Sequence, residues 1–260
     1  MSGWDDFLRA YHEAHPGITE DLLRPMRGPG GLQPYAWLAE GLPPTGPVWD
    51  VCCGSAPVAD VVGRDRYEGV DLSEAELAEA AVRRPGTRVR HGDAMTTDPV
   101  HAPVAVTVAM ALMLLPLPAF LARAASLLPV GGRLQAVVPT RENAGSTGYA
   151  TLLRLLGQSG VGYRQALAPE VVRAALDAAG FALVDDEVTV FDRELTPDDV
   201  DLVAASFYVR HPGAGDDAAR RWLSARSAEP GFRLDYPLRR LRAVRVAGPP
   251  EVAPRPGSGA

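Results

Sequence analysis

Residues 48 to 62 read VWDVCCGSAPVADVV, an apolar run that passes through a small-residue turn into a short helical pattern. Asp50 stands near the end of the run, and Cys52, Cys53 and Ser55 surround Gly54. A turn that cradles pyrophosphate uses G-x-G-x-x-G, because bare backbone can approach bulky phosphates at a helix N-terminus. Here only Gly54 remains of that pattern, and Cys52 and Ala56 bring β-carbons to places where glycine is expected. The turn is therefore poorly suited to two phosphates and suited to a ligand with none. Pro57 is expected to hold Ala56 extended and to sit in the first turn of the following helix. Two further carboxylates follow, Asp71 in YEGVDLSEAEL and Asp93 in VRHGDAM. His211, in FYVRHPG, has a loop context that suits a general base. The adjacent Cys52 and Cys53 are the chain's two cysteines, and no disulfide framework is expected from them. The five histidines are scattered, and no acid cluster for a divalent cation stands out, so no metal site is expected.

These residues need a scaffold that presents strand ends. Trp4, Phe7, Leu8 and Tyr11 recur at helical spacing and open the chain with an amphipathic helix. A Gly/Pro-rich stretch and a short helix at PYAWLAEGL follow. Then strand, turn and helix alternate: VWDVC, RYEGVDL, RVRHGDA, VAVTVAMAL and RLQAVVPT read as strands, and PAFLARAASLL as a helix. Such alternation implies parallel pairing with helices on both faces. Further on, TLLRLLGQ and LAPEVVRAALDAAGF read as helices, and ALVDDEVTVF and LRRLRAVRVAG as the last two strands. The organisation expected is a helical cap over 1–44, a core domain over 45–246 with a helical insertion at 196–232, and a disordered tail over 247–260.

At this point a resemblance emerges. VWDVCCGSAP resembles the first motif of class I S-adenosylmethionine-dependent methyltransferases, roughly V-L-D-L-G-C-G-x-G. YEGVDLSEAEL is similar to the family's second-strand motif, VRHGDAM to its adenine-facing segment, and the stretch 104–134 to its fourth strand, helix and Gly-Gly turn. The resemblance implies a Rossmann-like, doubly wound, mostly parallel seven-stranded sheet and S-adenosyl-L-methionine as cofactor. It implies that Asp50 meets the methionine ammonium through the loop or a water, and that Cys52, Gly54 and Ser55 form the loop along the amino-acid part. Asp71, with Leu72 beside it, would take the vicinal ribose hydroxyls. Asp93 and the Ala94 amide would hold the adenine edge, and Met110 would wall the methyl site. Arg27 and Arg141 are further candidates for a carboxylate, and Tyr11, His12, Tyr35, Tyr149, Tyr163 and Tyr208 for the acceptor pocket.

Composition narrows the acceptor. All 26 basic residues are arginine and the net charge is −6, which fits a GC-rich genome and argues against nucleic acid as a partner. Arg239, Arg240, Arg242 and Arg245 are expected to form the wet face of a strand. The longest apolar run is broken by Pro116 and Pro118, so no membrane partner is expected, and the N-terminus is unlike a signal peptide. No Asn/Asp-Pro-Pro-Tyr or Pro-Cys follows the fourth strand, which counts against nucleic-acid base methylation. The expectation is a cytoplasmic monomer or homodimer that methylates a small molecule of bacterial secondary metabolism. A fold that binds the cofactor without transferring methyl, an NAD(P)-dependent oxidoreductase and a macromolecule methyltransferase stay open as alternatives.

Overall fold

The computed structural model describes residues 3–140, 148–157, 167–208 and 214–246. The strands are β1 (Val48–Val51), β2 (Tyr67–Asp71), β3 (Val89–His91), β4 (Ala105–Ala109), β5 (Arg133–Pro139), β6 (Phe181–Glu194) and β7 (Arg233–Arg245). They form one seven-stranded sheet of order β3-β2-β1-β4-β5-β7-β6. β7 runs antiparallel to both its neighbours, and the β1 to β5 pairings are parallel. The order reverses at β1, between β2 and β4, and such a switch point opens a crevice outside the carboxyl ends of the strands.

The helices are α1 (Gly3–Ala14), α2 (Ile18–Leu23), α3 (Pro34–Ala39), α4 (Ala59–Val62), α5 (Glu74–Arg83), α6 (Leu117–Leu127), α7 (Gly148–Leu155), α8 (Pro169–Ala178), α9 (Val200–Ala205) and α10 (Ala214–Ser227). Side chains alternate across a strand, so each strand feeds two cores. On one face Val48 and Ala105 pack with Leu38 of α3, Val62 of α4 and Ala80 of α5. On the other face Trp49, Val51 and Val106 meet Phe120 and Leu121 of α6 and Val172 and Leu176 of α8. α9 and α10 lie between β6 and β7, as the helical insertion expected there.

Three local expectations change. β4 ends at Ala109, because Met110 turns to a positive φ of 61° and a 3-10 turn follows at Leu112–Leu114. α2 was not foreseen, being a short ITEDLL segment beside a Gly/Pro-rich stretch. The arginines of β7 are not a wet face: Arg239 and Arg240 are each 3% exposed. Arg239 pairs with both oxygens of Asp186 at 2.6 Å, and Arg240 meets Glu40 and Glu187 at 2.8 Å and Asp185 at 3.1 Å. Arg240 also lies 4.6 Å over the Trp37 ring. The acids of VDDEV on β6 and the cap residue Glu40 thus absorb the charge that sequence alone leaves solvated.

Candidate functional site

At the switch point the loop after β1 takes a run of left-handed residues: Cys52 at φ 54°, Gly54 at 51° and Ala56 at 62°. Ala56 is therefore not extended ahead of Pro57, and its N–H bonds Cys53 O at 2.9 Å. The turn keeps the backbone of a glycine-rich loop while two of its positions carry β-carbons, a conformation that L-residues adopt at a cost. Gly54 N–H donates to Asp71 Oδ2 at 2.8 Å, and Ser73 N–H to Asp71 Oδ1 at 2.9 Å. An ionised carboxylate has about four lone-pair sites, so Asp71 keeps acceptor capacity toward the crevice. Burial raises the Asp71 pKa and the charge of Glu76 adds to this, against the two backbone hydrogen bonds that lower it.

Asp50 sits below this floor, 1% exposed and not in the lining of the crevice. Its oxygens accept from Tyr67 Oη at 2.8 Å and Thr107 Oγ1 at 2.7 Å. The register places Gly69 opposite Asp50, and a β-carbon at Gly69 would stand 2.7 Å from Tyr67 Oη. The missing side chain is what lets the Tyr67 hydroxyl reach the carboxylate. Burial lifts the Asp50 pKa to about 7, with the two hydroxyl donors opposing and Asp71 adding. Burial and the same carboxylates hold the Cys52 and Cys53 thiols protonated.

The crevice has a volume of about 390 Å³. Cys52, Gly54, Ser55, Asp71, Leu72, Asp93 and Met110 line it, with Tyr35, His12 and Tyr208 of the pocket candidates. Ala94 is buried in the core behind Asp93, and Met95 takes its place on the wall, its N–H bonding Asp93 Oδ1 at 2.8 Å. Tyr149 packs in the core, and Arg27 bridges to Asp192 away from the crevice. His211, Arg141 and Tyr163 lie outside the described residues.

Two acids missed from sequence stand in the lining, Glu20 and Glu76. Glu20 of α2 is 1% exposed and is held by Arg84, itself 2% exposed, through Nη2 at 2.5 Å and Nη1 at 2.9 Å. Ser55 Oγ donates to Glu20 at 2.7 Å, and Arg84 also donates to Ser55 O at 2.9 Å. Burial would raise Glu20, but the hydrogen bonds and charge of Arg84, with Ser55 and Arg83, bring it below the usual carboxylate range. This assembly ties α2 to the loop after β1. Nothing local in sequence announces it, because its members come from distant segments.

No protein-family model matches the sequence, and no catalogued relative does. Solved structures do match. Phosphoethanolamine N-methyltransferase 2 of Haemonchus contortus, in complex with phosphomonomethylethanolamine and S-adenosylhomocysteine, superposes with a TM-score of 0.56 at 16% identity, over 95% of this chain and 61% of that one. A candidate methyltransferase of Bacillus halodurans gives 0.55 at 18% identity, over 82% of this chain and 99% of that one. The fold is that of the class I methyltransferases. The (4+2)-cyclase SpnF shares it, with a TM-score of 0.53 at 23% identity over 82% of this chain and 81% of that one. At such identities the likeness is one of fold, and the activity has to be argued from the site. In this methyltransferase fold Asp71 is the strand-end acid of β2, and side chains of α1 and α2 together with Tyr208 roof the crevice.

Proposed function

We propose that the protein binds S-adenosylmethionine over the tips of β1, β2 and β3 and transfers its methyl group to a small-molecule acceptor. The left-handed turn at Cys52, Gly54 and Ala56, closed on Asp71 in front of an acidic crevice, carries this reading. Asp71, Glu76 and Asp93 line the crevice against Arg9 and His12, the charge of Glu20 being met by Arg84. That lining favours a ligand with a positive sulfonium and ammonium, and disfavours the pyrophosphate of a dinucleotide. Asp71 would hold the ribose hydroxyls with its remaining lone pairs, Asp93 would face the adenine, and Gly54 would let the amino-acid part approach the backbone. Met110, Leu114 and Leu115 supply apolar wall. When bound, the cofactor supplies an electrophilic methyl; the chain's own residues align the acceptor and exclude water.

The roofed crevice and the neutralised arginines of β7 support a small acceptor rather than a nucleic acid. Among the described residues no helix is long and apolar enough to cross a membrane. We place the protein in the cytoplasm, as a monomer or homodimer serving bacterial specialised metabolism. Isothermal calorimetry with S-adenosylhomocysteine tests the reading. We expect a Kd in the micromolar range, weakened about tenfold or more by Asp71→Ala, the loss of one charge-assisted contact. Unchanged affinity in that variant would refute the ribose assignment. The likeness to a cyclase keeps a second reading in play, cofactor binding without methyl transfer. A radiolabelled methyl group that never leaves the cofactor, across a panel of acceptors, would select it.

A further inference from the structure

Three side chains from three elements meet on one wall of the crevice: His12 of α1, Glu76 of α5 and Tyr208, which follows α9. Glu76 is buried; its Oε2 accepts Gly17 N–H at 2.9 Å and its Oε1 lies 2.9 Å from His12 Nδ1. A carboxylate only accepts, so Nδ1 carries the imidazole proton and Nε2 offers a lone pair. That Nε2 lies 3.4 Å from Tyr208 Oη, a separation typical of a catalytic contact that tightens when substrate binds. Tyr208 holds a positive φ of 51°, uncommon for an aromatic residue, and its ring stands edge-on to Tyr11 at 4.9 Å. Tyr11 in turn donates its hydroxyl to Ala205 O. Burial lifts the Tyr208 hydroxyl to about 12, with a Thr19 hydrogen bond opposing and the charges of Glu76 and Asp71 adding, so it stays protonated. The relay runs beside the cofactor loop, since a β-carbon at Gly54 would stand 3.3 Å from Glu76 Oε2.

Resting on the methyltransferase reading, we propose that Tyr208, His12 and Glu76 form a proton relay, and that the acceptor is a molecule whose nucleophilic oxygen or nitrogen carries a proton. The acceptor's proton passes to Tyr208 Oη while the Tyr208 proton passes to His12 Nε2. The freed lone pair on the acceptor forms the new bond to the methyl carbon, and the electron pair of the broken carbon–sulfur bond stays on sulfur. The imidazolium left at His12 is stabilised by Glu76, the role a carboxylate plays behind a catalytic histidine. Asp71 of β2 adds negative charge from the same side. The other groups near His12 are, on its own helix, Arg9, Tyr11 and His15. A thioether or a tertiary amine has no such proton to lose and would leave the relay without a task.

The test uses 4-nitrophenol, whose ionised form is coloured, as a proton-bearing probe on the full chain saturated with S-adenosylhomocysteine. Bound nitrophenol is expected to ionise about one pH unit lower on the wild type than on His12→Asn. Tyr208→Phe, which keeps the ring against Tyr11, is expected to abolish most of the same shift, and Glu76→Gln part of it. S-adenosylhomocysteine affinity in Tyr208→Phe is expected to stay within about threefold of wild type. Nitrogen-15 NMR of histidine-labelled free protein should show the Nδ1–H tautomer at His12, disturbed in Glu76→Gln. Nitrophenol that ionises equally on wild type and both relay variants, or that fails to bind the complex, overturns the relay, as does the opposite tautomer. A wild type that does not bind S-adenosylhomocysteine sinks the cofactor reading instead, and the tautomer measurement still decides the relay's geometry.

Discussion

Replacing Arg84 by methionine should unlatch α2 from the loop after β1. The guanidinium uses all five of its N–H groups. Nε and Nη2 reach Asp60 at 3.0 and 2.8 Å, Nη1 and Nη2 reach Glu20 at 2.9 and 2.5 Å, and Nη1 also reaches Ser55 O at 2.9 Å. Methionine keeps the apolar stem and removes every donor. Breaking a buried ion pair from one side costs about 3–5 kcal/mol, because the remaining charge stays buried. Glu20 would still have Arg24 at 2.7 Å and Arg83 at 3.3 Å, which brings the expected loss to the lower end, about 3 kcal/mol. Against a total of roughly 5–15 kcal/mol that is a large fraction. Glu20→Gln should cost less, about 1–2 kcal/mol, since Arg84 keeps Asp60 and the Ser55 carbonyl. The double variant Glu20→Gln/Arg84→Met leaves neither of these two charges stranded and should recover about 1.5 kcal/mol or more of the summed losses. Urea unfolding of the four proteins at one pH gives the cycle. A loss below about 1 kcal/mol for Arg84→Met, or additive losses in the double variant, would show that this cluster does not hold the cap in place.

Other outcomes follow from the same geometry. The Asp50 pKa rises from 3.8 unfolded to about 7 folded, so its contribution is fully present below pH 3.8 and is lost as pH climbs through 7. Urea midpoints of the wild type should therefore carry a decline of up to about 4 kcal/mol from this group over that window, and Asp50→Asn should flatten it; equal pH slopes in the two proteins would refute the assignment. Gly54→Ala forces a β-carbon into a φ of 51° and to 3.3 Å from Glu76 Oε2, so it should weaken S-adenosylhomocysteine binding in calorimetry by about tenfold and cost about 1 kcal/mol of stability. Arg240→Met leaves Glu40 and Glu187, each about half exposed, without this partner, while Asp185 keeps Arg242 at 2.8 Å; a loss of about 1–2 kcal/mol in urea, partly restored by added salt, is expected.

Sequence alone determined the alternation of strands and helices, the turn at Gly54 and the strand-end acid Asp71. Those signals are local: a buried strand, a small-residue turn and a carboxylate follow one another within a few residues, and the backbone geometry of a βα turn depends on that order. The brevity of α4 was legible as the short helical pattern after the turn. What local order could not supply was the partnering of segments far apart. Glu20 and Arg84 lie 64 residues apart, as do His12 and Glu76. The arginines of β7 read as solvated until the antiparallel register set Asp186 and Asp185 against them. A charged side chain reads as exposed until a partner is known, because its burial is unfavourable alone and tolerable only when paired. The pairing of His12 was hidden for the same reason: only the packing of α1 on α5 brings its imidazole to the Glu76 carboxylate, with the Tyr208 hydroxyl facing its other nitrogen.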